Sequence, residues 1–131
     1  MVITELKDNE IFVFGSNLAG RHGAGAAKQA LQWGAKYGEA TGLHGQTYAI
    51  PTKDWRIQTL PLAKIEPYVK LFVLCTRHHP ELKFLVTEIG CGLAGYQPFQ
   101  IAPMFYELYF SDNVALPDSF MSILDNWRTM I

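Results

Sequence analysis

The sequence predicts a single α/β domain with a mainly parallel β-sheet and helices on both of its faces. The chain has 131 residues, a common length for one domain and enough for a hydrophobic core. Strand-like runs alternate with helix-like patterns, which is typical of right-handed crossovers in a parallel sheet. A buried strand at residues 11–14 also leads through a glycine-rich loop into an Ala-rich helical pattern. We therefore assign residues 1–131 to one domain.

The first half of the chain contains three predicted strands and one predicted helix. Residues 2–6 are interpreted as a short edge strand, and the apolar residues 11–14 as a strand covered on both faces. Small and apolar residues recur at helical spacing over residues 24–36. The next β-prone stretch is residues 47–50, and Pro51 is predicted to end it because proline cannot donate to a strand ladder.

The second half begins with a predicted helix that ends near His79. Pro67 is expected in the first turn of that helix, where a missing N–H is not needed. The remaining predicted elements are a strand at residues 83–87, a helix at 99–109, a short strand at 114–116 and a terminal helix from residue 117.

Charge and hydropathy show no strong nucleic-acid footprint and no membrane-spanning segment. Lysine and arginine number 11 against 12 aspartates and glutamates, so no net field favours nucleic acid or an anionic membrane surface. The chain shows no basic leader followed by an apolar run, and no apolar stretch of about 20 residues that could span a bilayer. We expect a cytosolic protein with no membrane partner, and the oligomeric state stays open.

Metal-ligand patterns are also lacking in the sequence. Cys75 and Cys91 are isolated, and neither CxxC nor HExxH is present. The adjacent His78 and His79 precede a proline and are interpreted as a solvated helix end. We expect neither a disulfide framework nor a metal or other cofactor.

Glycine placement predicts a ligand cleft. Seven of the eleven glycines lie in two loops, residues 15–25 and 88–96, and each loop follows a predicted strand. A polar loop at residues 51–56 follows a third strand, and loops at the carboxyl ends of parallel strands converge on one crevice. Glycine lets the backbone approach a phosphate closely. The alternative is that these glycines serve only close packing.

Two side chains are candidates for catalysis. Lys53 follows a strand end and a proline, and a lysine there can act as a nucleophile because a neutral amine attacks a carbon centre. The alternative is a lysine that contacts phosphate or solvent. Glu88 opens the second glycine loop and can act as a base or hold a ribose, or its carboxylate can simply accept hydrogen bonds from loop amides.

Other loop residues have a functional and a structural interpretation. Asn17 can bond a ribose hydroxyl or close an Asx turn, and His22 can bond phosphate or lie on the surface. Cys91 stands between two glycines with no histidine nearby to activate it, which favours a small residue tolerated by a tight loop. Tyr48, Trp55 and Tyr96 can stack on a base or belong to the core, and the sequence leaves these alternatives open.

Three of these segments together resemble the macrodomain family of ADP-ribose-binding α/β domains. Asn17 with residues 20–27 resembles the family's first ligand loop. Residues 51–56, Pro-Thr-Lys-Asp-Trp-Arg, are similar to a segment of the branch that contains the terminal ADP-ribose glycohydrolase and the DNA ADP-ribosyl glycohydrolase antitoxin. Residues 89–93, Ile-Gly-Cys-Gly-Leu, match that branch's diphosphate loop. The loops are also similar to those of phage-associated macrodomain-like proteins.

The resemblance implies a three-layer α/β/α sandwich and a set of site residues. Lys53 falls where the branch has its catalytic lysine. Ala94 stands where one enzyme of the branch has an acidic residue, so either another carboxylate such as Glu88 substitutes for it or that catalytic route is absent. The expected ligand-binding residues are Asn17, Gly20, His22, Gly23, Ala24, Gly25, Thr52, Gly90, Cys91, Gly92, Leu93, Ala94, Gly95 and Tyr96.

Two functions from different classes follow. The first is an ADP-ribosyl glycohydrolase, a hydrolase that removes ADP-ribose from a macromolecule with Lys53 as nucleophile. The second is a non-catalytic module that binds ADP-ribose or a related nucleotide signal. The sequence does not choose between protein, DNA, RNA and a free metabolite as the acceptor.

Overall fold

The computed structural model describes residues 2–130 and contains an α/β fold. The strands and helices within that range alternate along most of the chain. They are β1 (Glu10–Asn17), α1 (Gly25–Ala30) continued by a 3₁₀ turn (Leu31–Trp33), β2 (Gly42–His44), β3 (Thr47–Lys53), α2 (Leu62–His78), β4 (Lys83–Val86), α3 (Pro98–Ile101) continued by a 3₁₀ helix (Ala102–Leu108), β5 (Val114–Ala115) and α4 (Asp118–Met130).

The strands form one sheet in the order β2-β3-β1-β4-β5. Strand β1 pairs in parallel with both β3 and β4, and β5 pairs in parallel with β4. Strand β2 differs from the other four, because its pairing with β3 is antiparallel. The α/β class and the mainly parallel sheet predicted from the sequence are therefore confirmed. Strand β2 was not predicted, because three half-buried residues between glycines carry no strand pattern of their own.

Strand β1 lies at the centre of the sheet, and its side chains enter hydrophobic clusters on both faces. Ile11 and Val13 pack in a cluster that includes residues of α2, the 3₁₀ helix and α4. Phe12 and Phe14 pack in a second cluster with Ala27 and other residues of α1. Alternate strand residues point to opposite faces, which explains why an unbroken apolar run was needed here.

Helix α2 begins earlier than predicted. It starts at Leu62, so Pro67 lies inside the helix and not in its first turn. The proline removes one helix hydrogen bond, but Ile65, Val69 and Phe72 are fully buried on both sides of it and keep the helix continuous. The predicted end near His79 is confirmed, because the helix finishes at His78.

Four other boundaries differ from the sequence predictions. Residues 2–6 form no strand, and the helical segment after the first loop ends at Trp33, where Gly34 has a φ of 109°. Strand β3 continues through Pro51 to Lys53. Its pairing with β2 stops at Ala49, so on that side of the strand Pro51 has no partner that would require its missing N–H. The predicted helix at residues 99–109 is mostly 3₁₀, and α4 begins as predicted. Within residues 2–130, none of the helices has the length and apolar character that crossing a bilayer requires.

Candidate functional site

A cleft of about 500 Å³ lies where β1, β3 and β4 end. Its lining comes from the loop after β1, the end of β3 and the loop after β4, which are the three loops expected to converge. Small-molecule sites commonly occupy about 300–1,000 Å³ at the carboxyl edge of such sheets. The cleft therefore has the size and position of a ligand site.

Most of the residues predicted for the site line this cleft. Those that do are Asn17, Gly23, Ala24, Gly25, Thr52, Lys53, Glu88, Gly90, Gly92, Leu93 and Ala94. The five that do not are Gly20, His22, Cys91, Gly95 and Tyr96. These five support the loops from behind, each through different contacts.

Asn17 closes the first loop on itself. Its side-chain Nδ2 donates to the carbonyl of Arg21 at 2.7 Å, and its Oδ1 accepts from the Arg21 N–H at 2.9 Å. This is the Asx-type role considered from the sequence. The amide retains one N–H and one lone pair beyond these two bonds, and Asn17 lines the cleft in which a ligand would meet them.

Gly20 holds the first loop against the segment that follows α1. Its φ is 69°, and a Cβ there would collide with the backbone of Gly38. The Gly20 carbonyl accepts a hydrogen bond from the Gly38 N–H at 2.8 Å. Gly20 is thus required for close backbone approach and does not line the cleft.

His22 is buried beneath the first loop, so it is not the surface histidine of one sequence interpretation, and it does not line the cleft. Its ring is only 1% exposed and packs edge-on against Phe14. Its Nε2 lies 2.9 Å from the carbonyl of Lys36 and 3.2 Å from that of Glu39, so this nitrogen carries the proton and donates. Nδ1 has no hydrogen-bond partner among the described residues. His22 therefore supports residues 36–39, including the cleft-lining Tyr37.

Two cations line the cleft without carboxylate partners in residues 2–130. Lys53 is half-buried at the end of β3, and its carbonyl accepts from the Leu18 N–H at 2.9 Å, which joins this strand end to the first loop. Arg21 lies in the first loop itself. The ion pairs of the described residues lie elsewhere, so both charges are available to an anion.

The loop after β3 contributes a residue that the sequence did not predict. Asp54 accepts from the N–H groups of Arg56 at 2.8 Å and Gln58 at 3.0 Å, which folds the loop tightly. This turn gives Ile57 a φ of 63°, and Ile57 lines the cleft. A β-branched residue with positive φ is strained. Trp55 is 72% exposed and does not line the cleft.

Glu88 stands at the border of the cleft. Its Oε2 accepts a hydrogen bond of 2.5 Å from the Ser119 hydroxyl in the first turn of α4. Its backbone carbonyl accepts from the Cys91 N–H at 3.0 Å and starts the turn of the second glycine loop. One carboxylate oxygen is thereby fixed, and the other is left for a ligand or a proton transfer.

Tyr96 anchors the second glycine loop to the core. Its hydroxyl donates to the Leu60 carbonyl at 2.6 Å, and Thr59 donates to the Ala94 carbonyl at 2.8 Å. Gly95 has a φ of 88° and bonds to Gly92 within the loop. Tyr96 and Gly95 therefore shape the second glycine loop and do not line the cleft.

Cys91 is a structural residue of the loop. Its side chain packs against the larger hydrophobic cluster, and its Sγ lies 3.5 Å from the Ile89 carbonyl. Burial, with a smaller effect of the Glu88 charge, raises the pKa of the Cys91 thiol to about 11. A thiol with so high a pKa is a poor nucleophile at neutral pH, in agreement with the structural interpretation of the sequence.

No protein-family model, curated protein or solved structure matches this chain.

The cleft lining combines three charged side chains with backbone that glycines leave open. Arg21 and Lys53 contribute two positive charges and Glu88 one negative charge. Gly23, Gly25 and Gly92 expose backbone without side chains to block approach. Arg21 and Tyr37 were not predicted as site residues. Arg21 lies inside the predicted loop, whereas Tyr37 is distant in sequence from the strand that opens the site, and its segment is held by the hydrogen bonds of Gly38 to Gly20 and of His22 to the carbonyls of residues 36 and 39.

Proposed function

We propose that this chain is a macrodomain-like ADP-ribose-binding protein with a three-layer α/β/α sandwich, and that it acts as an ADP-ribosyl glycohydrolase on a modified macromolecule. The observation that supports this function most directly is the meeting of Lys53 with both glycine-rich loops in one cleft. The resemblance requires this arrangement, and the three segments meet because β1, β3 and β4 are neighbouring strands of one sheet.

The diphosphate of ADP-ribose is assigned to the glycine-lined part of the cleft. A Cβ added at Gly23 or Gly92 would meet no atom within 4 Å, so the backbone on either side is open to a phosphate. No side chain caps the first turn of α1 at Ala24, and Arg21 supplies a cation nearby. Phosphate oxygens are well matched to free backbone N–H groups together with a guanidinium.

The distal ribose is assigned to Lys53, with Asn17 as its neighbour across the β1–β3 pair. The Lys53 amine gives up its proton to solvent and attacks the anomeric carbon, and the bond from that carbon to the acceptor breaks. The bond electrons remain on the acceptor, which takes up a proton, and Glu88 is the candidate to carry it. Water then displaces the lysine amine from the same carbon, releasing ADP-ribose and the free enzyme.

The alternative is a binding module without turnover, and one observation favours it. The Glu88 carboxylate is held by Ser119, and it forms no ion pair with Lys53. If this geometry persists with ligand bound, Lys53 serves as a phosphate-contacting cation and no general base reaches the ribose.

Calorimetry with ADP-ribose tests the binding, and incubation with ADP-ribosylated protein and ADP-ribosylated DNA tests the turnover. We expect calorimetry to show binding at one site. We expect one of the two substrates to release free ADP-ribose, which chromatography of the reaction mixture measures. Binding without release supports the module, and absence of binding at millimolar ADP-ribose contradicts the macrodomain-like function altogether.

A further inference from the structure

A second cavity of about 340 Å³ adjoins the cleft on the far side of Glu88. Thr87 and Glu88 line both cavities, so the two spaces are neighbours that share one wall. The outer wall is built by the segment that precedes β1, because Gln29 of α1 donates to the Ile3 carbonyl at 2.6 Å and holds that segment in place. The second cavity therefore lies directly beside the first cleft, across Thr87 and Glu88.

The charged side chains that line the second cavity are all acidic. Its charged lining residues are Glu88 and Asp118, and no lysine or arginine of residues 2–130 lines it. Neither carboxylate pairs with a basic side chain among the described ion pairs. The rest of the wall includes apolar side chains such as Leu85 and Leu116.

We propose that the second cavity is an acceptor subsite for a basic side chain of an ADP-ribosylated protein. This inference rests on the proposed function of the adjoining cleft. Two carboxylates beside an apolar wall suit an arginine, whose methylene stem packs on apolar surface while its guanidinium donates to carboxylate oxygens. The substrate class is thus a protein modified on or beside an arginine.

The same charges disfavour a nucleic acid acceptor. A DNA or RNA chain extending from the ribose would bring further phosphates close to the carboxylates of Glu88 and Asp118. Phosphate and carboxylate are both negatively charged, so they repel each other. The cations that line the first cleft, Arg21 and Lys53, do not line the second cavity. The two cavities are therefore opposite in electrostatic preference.

The first test is a ¹⁵N-NMR titration of the full chain with a capped tripeptide that has a central arginine, and with the matched citrulline peptide as a neutral control. We expect the arginine peptide to shift the amides of residues 85–88, 115, 116, 118 and 119, and the citrulline peptide to bind about two- to fivefold more weakly. Asp118→Asn should reduce the arginine affinity by a similar factor. Asp112→Asn, an exposed aspartate that lines neither cavity, should leave it unchanged.

The second test uses the peptide carrying ADP-ribose on its arginine as substrate. Asp118→Asn should raise KM severalfold and leave kcat unchanged, because Asp118 contacts the acceptor and not the reacting carbon. Equal binding of arginine and citrulline peptides, an unchanged KM in Asp118→Asn, or amide shifts at these positions with a single-stranded oligonucleotide would overturn the subsite.

A separate titration with ADP-ribose distinguishes failure of the subsite from failure of the function. Shifts at residues 23–25 and 90–94 with ADP-ribose, together with no effect of the arginine peptide, leave the function standing and reject the subsite. Absence of shifts with ADP-ribose rejects the function, and the acceptor role of the second cavity falls with it.

Discussion

Lys53 is the residue at which an enzyme and a binding module differ most. A nucleophile acts mainly in the transition state, so Lys53→Ala should remove turnover by several orders of magnitude and weaken ADP-ribose binding by no more than about tenfold, or about 1.4 kcal/mol. Lys53→Arg keeps the cation and cannot attack, so it should bind normally without turnover. Single-turnover assays and calorimetry measure the two effects.

Lys28 provides the matched control for that experiment, because it is an exposed lysine of α1 that does not line the cleft. Lys28→Ala should change neither quantity. Turnover that survives in Lys53→Arg would rule out the nucleophile, and a large loss of affinity in Lys53→Ala that weakens with salt would assign Lys53 to the diphosphate.

The buried hydroxyl of Tyr48 should make the free energy of unfolding depend on pH in the alkaline range. Burial, with a smaller effect of Cys75, raises the pKa of Tyr48 from 10.0 to about 12. The folded protein then holds this proton more tightly than the unfolded chain, so the free energy of unfolding should be intact below about pH 10 and fall as pH rises toward 12. Tyr48→Phe keeps the ring that packs 5.0 Å from Phe72 and should remove part of this fall. Urea unfolding at about pH 8 to 11.5 tests it, and identical pH slopes for both proteins would contradict the expectation.

The two glycine loops contain glycines of two kinds. One kind is needed for the backbone conformation, and the other leaves room for a ligand. Gly90 has a φ of 76°, and a Cβ there would lie 3.0 Å from Ile101 Cδ1, so this glycine is required by the fold. Gly23 and Gly92 have no positive φ and no neighbour within 4 Å of a Cβ. Substitutions at these two positions therefore probe the cleft without straining the backbone.

We expect Gly23→Val and Gly92→Val to abolish ADP-ribose binding with a melting temperature near that of the wild type, since the branched side chain fills space meant for the ligand. Gly90→Val should instead lower stability, by about 1–3 kcal/mol for the strained conformation. Thermal melts and calorimetry on the three variants test this. Normal ADP-ribose binding by both cleft variants would show that these loops are not the site.

At the scale of the whole molecule, a ligand that binds only the folded state must stabilise it. ADP-ribose at a hundredfold excess over its Kd should add about 2.7 kcal/mol to the free energy of unfolding. A melting curve measured with and without ADP-ribose shows this gain, and ribose 5-phosphate is a suitable control because it lacks the adenosine diphosphate. No shift in Tm at saturating ADP-ribose would contradict ligand binding by this domain.

Sequence patterns predicted the strands at whose ends the site lies more accurately than the helices that pack on the sheet. An unbroken apolar run marks β1 because both faces of that strand are buried, and the strand at residues 83–86 was found from a similar β-prone run. Pro67 was misplaced because tertiary burial outweighs the local cost of a proline within α2. Strand β2 was missed because its pairing with β3 is decided by neighbours in space.

Local hydrophobic runs and glycine's conformational freedom are enough to predict the order of most strands and helices, the places of the two glycine loops and the position of Lys53 at a strand end. Which loop side chains face the cleft is visible only in the folded protein. His22 and Tyr96 turn away to carbonyls of residues 36, 39 and 60, whereas Ile57 turns in. The directions of His22 and Tyr96 depend on hydrogen bonds to partners distant in sequence, which no local pattern contains, whereas Ile57 is turned by the tight local turn at Asp54.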